Sequence, residues 1–184
     1  MDKSRSLQTM ISGFISPKKI LNDQLVLEST MLAADLGCGS GEWTIPLAEI
    51  LESGKVYAID LLDEPLSVIR SKARVRGLEN IELVKSDIEG MVTRLLANSL
   101  DLVLMTNMLF QVNEREAVFE EARRVLKPGG RILVVEWNEN AGIGPEKKIG
   151  KGELKKLAEK TGFSLVTEFT AGTFHYGLVL KKNK

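Results

Sequence analysis

The stretch AADLGCGSGEWT, residues 33–44, sets Gly37, Gly39 and Gly41 at alternate positions directly after an apolar run that carries Asp35. A loop that leaves a strand and enters a helix exposes unpaired backbone N–H groups, and glycines let a ligand come close to them. Two further carboxylates repeat the placement: Asp60 ends KVYAID, 19 residues after Gly41, and Asp87 ends IELVKSD. In a parallel sheet all three stand along one edge. An acidic residue at the end of the second strand takes the hydroxyls of a ribose in nucleoside-binding sheets. Capping of the next helix is the alternative for each of the three. The dinucleotide fingerprint G-x-G-x-x-G, with its register fixed by Gly37 and Gly39, needs glycine at position 42, where Glu42 stands. A carboxylate there repels a pyrophosphate, which counts against a nicotinamide dinucleotide. Cys38, inside the loop, reads as a small residue rather than a nucleophilic thiol.

The elements that must position these residues follow from periodicity. Short β-branched runs alternate with longer amphipathic segments, the pattern of strand-helix units around a parallel sheet. It predicts strands at about 31–36, 55–60, 81–85, 101–106 and 131–136, and helices at about 41–52, 64–76, 88–97 and 113–125. Gly54 and Gly77 fall where left-handed caps would end two of the helices. After a helix at about 152–161, FSLVTEF and TFHYGLVLKK are separated only by TAG. That connection is too short for a parallel crossover, so the two must form an antiparallel hairpin. The predicted fold class is α/β, a doubly wound, mostly parallel sheet with a C-terminal antiparallel hairpin. Leu7, Met10, Ile11, Phe14 and Ile15 recur at helical spacing, and Ser16 and Pro17 look like the cap and first residue of a second helix. Residues 1–30 thus read as an N-terminal helical segment, either packed on the sheet's flank or lying over the ligand site as a lid, ahead of a core at 31–184.

Whole-chain properties narrow the classes. The 184 residues, 43% hydrophobic and 27% charged, suit one ordinary globular domain. Lys plus Arg equals Asp plus Glu at 25 each, so no net field gathers nucleic acid or an anionic membrane, and a small-molecule partner is favoured. No stretch reaches the roughly 20 apolar residues of a membrane span, and the N-terminus lacks the apolar core of a signal peptide. A cytoplasmic location is expected. One cysteine forbids an internal disulfide and any multi-cysteine metal site, so no metal is expected. Arg70, Lys72, Arg74 and Arg76, spaced by two, are spread around a helix rather than gathered into a nucleic-acid stripe. Nothing in the sequence sets an oligomeric state.

DLGCGSGEWT, VYAID, SDIE, DLVLMTNMLFQV and VLKPGGRILVVEW, in this order, resemble the class I S-adenosylmethionine-dependent methyltransferases, and more closely the small single-domain branch related to quinone-biosynthesis C-methyltransferases. The likeness covers residues 31–137, and the C-terminal hairpin by topology. It implies a Rossmann-like, seven-stranded methyltransferase fold, S-adenosyl-L-methionine as cofactor and S-adenosyl-L-homocysteine as product. It also implies roles. Gly37, Gly39 and Gly41, with Cys38 between them, would line the methionine part, and Asp35 would reach its ammonium. Asp60 would bind the ribose, with Leu61 packing on adenine. Asp87 would accept from the adenine amino group while the Ile88 N–H meets a ring nitrogen. Thr106 and Asn107 would sit near the sulfonium methyl. A cationic ligand without phosphate suits a loop with carboxylates and no Lys or Arg.

Methyl transfer is an in-line displacement in which positioning supplies most of the rate. A base is needed only if the acceptor holds a proton, and no catalytic residue is assigned. Relatives often carry histidines where Phe110 and Gln111 stand, and the only histidine, His175, reads as a strand residue of the hairpin. The sequence lacks the proline-aromatic motif of amino-methylating DNA enzymes and the cysteines of cytosine C5 and arsenite enzymes. Met108, Leu109, Phe110 and Trp137 suggest an apolar or aromatic acceptor, or else the core face of the next helix. Residues 138–152, with four glycines, read as a loop that closes over substrate or as a solvated connection. KPGG, residues 127–130, reads as a turn feeding the fifth strand. The leading expectation is a methyltransferase acting on a small, apolar or aromatic acceptor. The alternatives are a non-catalytic cofactor-binding scaffold, a nicotinamide-dependent oxidoreductase, and an aminopropyl transferase, which would need acidic residues where Thr106, Asn107 and Met108 stand.

Overall fold

Strands appear where the β-branched runs place them: β1 (Leu32–Leu36), β2 (Lys55–Asp60), β3 (Ile81–Lys85), β4 (Leu100–Thr106), β5 (Leu126–Trp137), β6 (Phe163–Ala171) and β7 (His175–Lys182). They alternate with α1 (Pro17–Gln24), α2 (Thr44–Ile50), α3 (Asp63–Arg76), α4 (Arg115–Val125) and α5 (Lys151–Lys160). These come from a computed structural model that describes residues 15–90 and 93–184. The sheet order is β3-β2-β1-β4-β5-β7-β6, parallel throughout except that β7 runs antiparallel between β5 and β6. Chain order reverses between β1 and β4, so their carboxyl ends open a crevice where such sheets take ligands.

Successive strand side chains point to opposite faces, and here both faces are apolar. Leu102, Leu104, Leu133 and Val135 pack with α1 and α2, while Val103, Met105, Ile132 and Val134 pack with α4 and α5. Leu66, Ile69 and Ala73 of α3 cover Cys38 and Ala58. Each such side chain contributes roughly 1.5–3 kcal/mol by leaving water, which fixes the register and hence the position of every strand end.

Pro17 opens α1 after an extended Ser16, and the helix buries Ile20 and Leu21 in the cluster containing Trp43 and Leu47. This part of the N-terminal segment therefore packs on the sheet's flank. Leu7, Met10, Ile11 and Phe14, with the lid reading attached to them, lie outside the described residues.

Three local expectations are corrected. No helix spans 88–97 among the described residues: residues 88–90 form a turn, and Arg94 and Asn98 take left-handed backbone with φ of 59° and 53°. The competing interaction is tertiary, since the Thr93 N–H and hydroxyl both donate to Glu121 of α4. Gly77 is the left-handed cap of α3, but Gly54 has no positive φ. A Cβ there would lie 2.0 Å from Met31 O, so close backbone approach explains that glycine. KPGG is a bulge inside β5 rather than a turn before it, because register slips between the Leu100–Leu126 and Leu102–Arg131 pairs.

Candidate functional site

The glycine loop follows β1 and is tied to β2 by the Cys38 N–H, which donates to Ile59 O at 3.0 Å. All three glycines have positive φ, but they face different things. Among the described residues a Cβ on Gly39 would meet nothing within 4 Å, so this residue opens the loop toward the crevice. A Cβ on Gly41 would lie 2.7 Å from Ile69 Cγ1, so this one lets α3 pack against the loop. Beneath them Asp35 is fully buried. Its Oδ2 accepts from the Thr44 hydroxyl at 2.6 Å and its Oδ1 has no partner among the described residues. Burial pushes its pKa up to about 7, against the lowering effect of Thr44. Burial also pushes the Cys38 thiol well above its ordinary range, so it is an inert packing residue.

Asp60 reaches back from β2. Its Oδ2 accepts from the Gly39 N–H at 3.0 Å and its Oδ1 from the Leu62 N–H at 3.1 Å. Asp87 accepts from the Glu89 N–H at 2.9 Å, and Glu89 in turn accepts from the N–H groups of Asn113 and Glu114 at the start of α4. Turn-holding and ligand binding are therefore not exclusive: each carboxylate offers about four acceptor positions, and Asp60 and Asp87 keep some of theirs for the crevice.

The crevice is a cavity of about 560 Å³. Gly37, Cys38, Gly39, Asp60, Leu61, Asp87, Ile88, Thr106 and Asn107 line it, whereas Asp35 lies beneath it and Gly41 faces α3. Among the described residues its lining carries four carboxylates, Glu42, Asp60, Asp87 and Glu89, and no Lys, Arg or His, although Lys72 pairs with Glu42 from outside the lining at 2.8 Å. Trp43, Pro65, Met108, Gln111 and Val112 also line it and were not singled out as cofactor contacts. Trp43 follows the glycine motif directly and Glu89 closes SDIE, so proximity to a motif was the available signal for both. Of the residues read as an apolar mouth only Met108 lines the cavity, and Leu109 is fully buried.

The far wall is built at the end of β4. Asn107 has a φ of 52°, and its N–H donates to Val135 O at 2.8 Å. The next two N–H groups, of Met108 and Leu109, both donate to Glu136 Oε1, at 2.9 and 2.7 Å. Glu136 is fully buried, with its pKa raised to about 7 by burial against those two hydrogen bonds. Nothing local in the sequence marks it, since its partners lie 28 and 27 residues away. His175, at the start of β7, packs against Trp137 with ring centroids 4.1 Å apart and ring planes tilted by 41°. Burial lowers its pKa to about 4, so the ring is neutral. Among the described residues no group of three or more His, Cys, Asp or Glu could hold a metal ion, and no helix is long and apolar enough to cross a membrane.

Residues 34–134 match the family model described as a methyltransferase domain. The demethylmenaquinone methyltransferase of Geobacillus stearothermophilus is 36% identical over 108 residues, 58% of this chain and 45% of that protein. The chain spans about half the length of the curated relatives it matches. Among solved structures, a SAM-dependent methyltransferase from Aquifex aeolicus superposes with a TM-score of 0.82 at 25% identity, covering 98% of both chains. The [4+2]-cyclase SpnF superposes with a TM-score of 0.78 at 17% identity over 90% of this chain and 80% of its own, a likeness of fold. With its motifs, sheet order and domain match in agreement, the chain belongs to the class I S-adenosylmethionine-dependent methyltransferase family.

Proposed function

We propose that this chain binds S-adenosylmethionine in the crevice and transfers its methyl group to a small apolar or aromatic acceptor of quinone type, leaving S-adenosylhomocysteine. The carrying observation is charge: four carboxylates and, among the described residues, no cation line the cavity, and with Glu42 paired to Lys72 at 2.8 Å the other three still favour a sulfonium and an ammonium over a diphosphate. The buried, unpartnered Asp35 Oδ1 adds an acceptor under the loop that is short of one donor.

The cofactor supplies an electrophilic methyl carbon activated by positive sulfur. The chain supplies placement. Gly39 allows close approach to the loop while Gly37 lets Met108 pack against it, Asp35 stands for the ammonium, and Asp60 offers its remaining lone pairs to the ribose hydroxyls. Leu61, 57% exposed at the mouth, covers the adenine, with Asp87 and the Ile88 N–H reading its edge. Thr106 and Asn107 form the wall nearest the transferred group. Charge at sulfur is lost during transfer, so the wall need not stabilise a new anion. The relatives' printed name supplies the quinone, and the lone cysteine fits a reducing compartment such as the cytoplasm.

Two measurements test the reading. S-adenosylhomocysteine should raise the melting temperature by mass action and NAD should leave it unchanged. Incubation with S-adenosylmethionine and naphthoquinol-type acceptors should release S-adenosylhomocysteine. A shift with NAD alone would return the chain to the oxidoreductases, and cofactor binding without turnover on any aromatic or apolar acceptor would make it a scaffold.

A further inference from the structure

His175 is only 7% exposed, and neither of its ring nitrogens has a hydrogen-bond partner among the described residues. Buried polar groups are ordinarily paired, so an imidazole with both nitrogens unpaired calls for an explanation. Its position supplies one. Trp137 and His175 are the final pair of the β5–β7 ladder, while Val135, two residues back along β5, pairs with Thr106 and accepts from the Asn107 N–H. Two strand residues cover roughly 7 Å, so the Trp137–His175 stack stands just past the wall of the crevice, on its carboxyl edge. Residues opposite one another in an antiparallel pair share a face. Trp137 lies on the same face as Leu133 and Val135, the face on which Trp43 packs, and Trp43 lines the crevice.

The cover over this stack is the loop 138–150, which has no helix or strand. A Cβ on Gly144 would come within 2.5 Å of the Trp137 ring, so glycine there lets the backbone lie against the indole. The loop is fastened at its ends, by the Asn138 N–H to Phe174 O and by the Tyr176 hydroxyl to Ile149 O, both at 2.8 Å. A flat ring admitted under such a loop meets an indole and an imidazole whose two nitrogens have no partner among the described residues.

We propose that Trp137 and His175 form the acceptor subsite, the indole stacking on a flat aromatic ring and the imidazole hydrogen-bonding a carbonyl or hydroxyl oxygen on that ring. This rests on the methyltransferase reading of the adjoining crevice. A neutral imidazole carries one donor and one acceptor nitrogen, so it serves either oxygen type, whereas a hydrocarbon ring would leave it unpaired. His175 contributes binding and orientation, and no proton transfer is assigned to it.

The chain has one histidine, so its imidazole gives a single, unambiguous set of NMR resonances. With the protein saturated in S-adenosylhomocysteine, 1,4-naphthoquinone should move the His175 ring resonances saturably. His175→Leu should weaken naphthoquinone by about two- to twelvefold, the loss of one hydrogen bond, and leave naphthalene and S-adenosylhomocysteine affinities unchanged. It should also melt higher, because it removes two unpaired polar atoms. Resonances unmoved by the quinone, equal quinone affinity in the variant, or a variant that melts lower would each overturn the subsite. If the variant fails to fold, the wild-type titration decides alone: saturable movement of the His175 resonances supports the subsite and unmoved resonances overturn it. Calorimetry with S-adenosylhomocysteine separates the two levels: no binding sinks the methyltransferase reading, while binding with a silent histidine sinks only the subsite.

Discussion

The Gly39 N–H donates to Asp60 Oδ2 at 3.0 Å, so the carboxylate that ends β2 also holds the loop that ends β1. The same side chain accepts from Leu62 at the entry to α3. Asp60→Ala should therefore act twice, weakening S-adenosylhomocysteine by about 1–3 kcal/mol, the cost of lost charge-assisted hydrogen bonds, and lowering stability by about 1 kcal/mol. Asp60→Asn keeps an acceptor for one N–H and should fall between the two. Calorimetric titration and thermal melts separate the effects, and unchanged affinity in Asp60→Ala would remove Asp60 from the ribose.

Gly39 and Gly41 should give opposite phenotypes although both have positive φ, 48° and 83°. At Gly39 an added side chain enters open space in the crevice, so Gly39→Val should fold with a strain of about 1–2 kcal/mol and lose cofactor. At Gly41 a Cβ must displace Ile69 of α3, so Gly41→Ala combines that strain with overpacking of about 1–3 kcal/mol. A Gly41→Ala protein that melts like the wild type would contradict the packing role.

That division shows what the sequence could and could not reveal. Strand positions were legible because burial on both faces demands β-branched runs, and Asp60 and Asp87 were legible because their chemistry sits at strand ends. The direction each glycine faces depends on where α3 packs, which no local pattern encodes. Glu136 was invisible for the same reason, its two N–H partners coming from the turn that follows β4, the neighbouring strand. The segment 88–97 has helical spacing, but Thr93 satisfies its backbone and hydroxyl on Glu121 instead. The mouth assigned to Trp137 lies beyond the crevice because β5 continues past the end of β4.

Asp35 should couple cofactor binding to a proton. Its pKa is raised from 3.8 to about 7, so the folded protein holds a proton that the unfolded chain releases. Its stabilising contribution is complete below pH 3.8 and is lost as pH rises through about 7, by up to about 1.4 kcal/mol per pH unit. Asp35→Asn should flatten that slope. A bound ammonium would favour the carboxylate, so S-adenosylhomocysteine should release a proton at pH 6 and bind more tightly toward pH 7.5. Calorimetry in two buffers of different ionisation enthalpy counts the proton, and a count of zero would place the ammonium elsewhere.

Glu136 tests whether the far wall depends on a charge or only on an acceptor. Its Oε1 takes the N–H groups of Met108 and Leu109, directly after the left-handed Asn107, and a Gln amide oxygen can take the same two. Because the Glu136 pKa is raised from 4.5 to about 7, its contribution to stability is whole below pH 4.5 and is lost as pH rises through about 7. Glu136→Gln removes the buried ionisation, so its melting temperature should match the wild type near pH 5 and exceed it at pH 8. Glu136→Leu leaves both buried N–H groups unpaired, at about 1–3 kcal/mol each, and releases the turn that presents Asn107 to the crevice. Melts at the two pH values, with S-adenosylhomocysteine affinity beside them, distinguish the cases. If the Gln variant failed as badly as the Leu variant, the carboxylate's charge, and not its geometry, would be what shapes the end of β4.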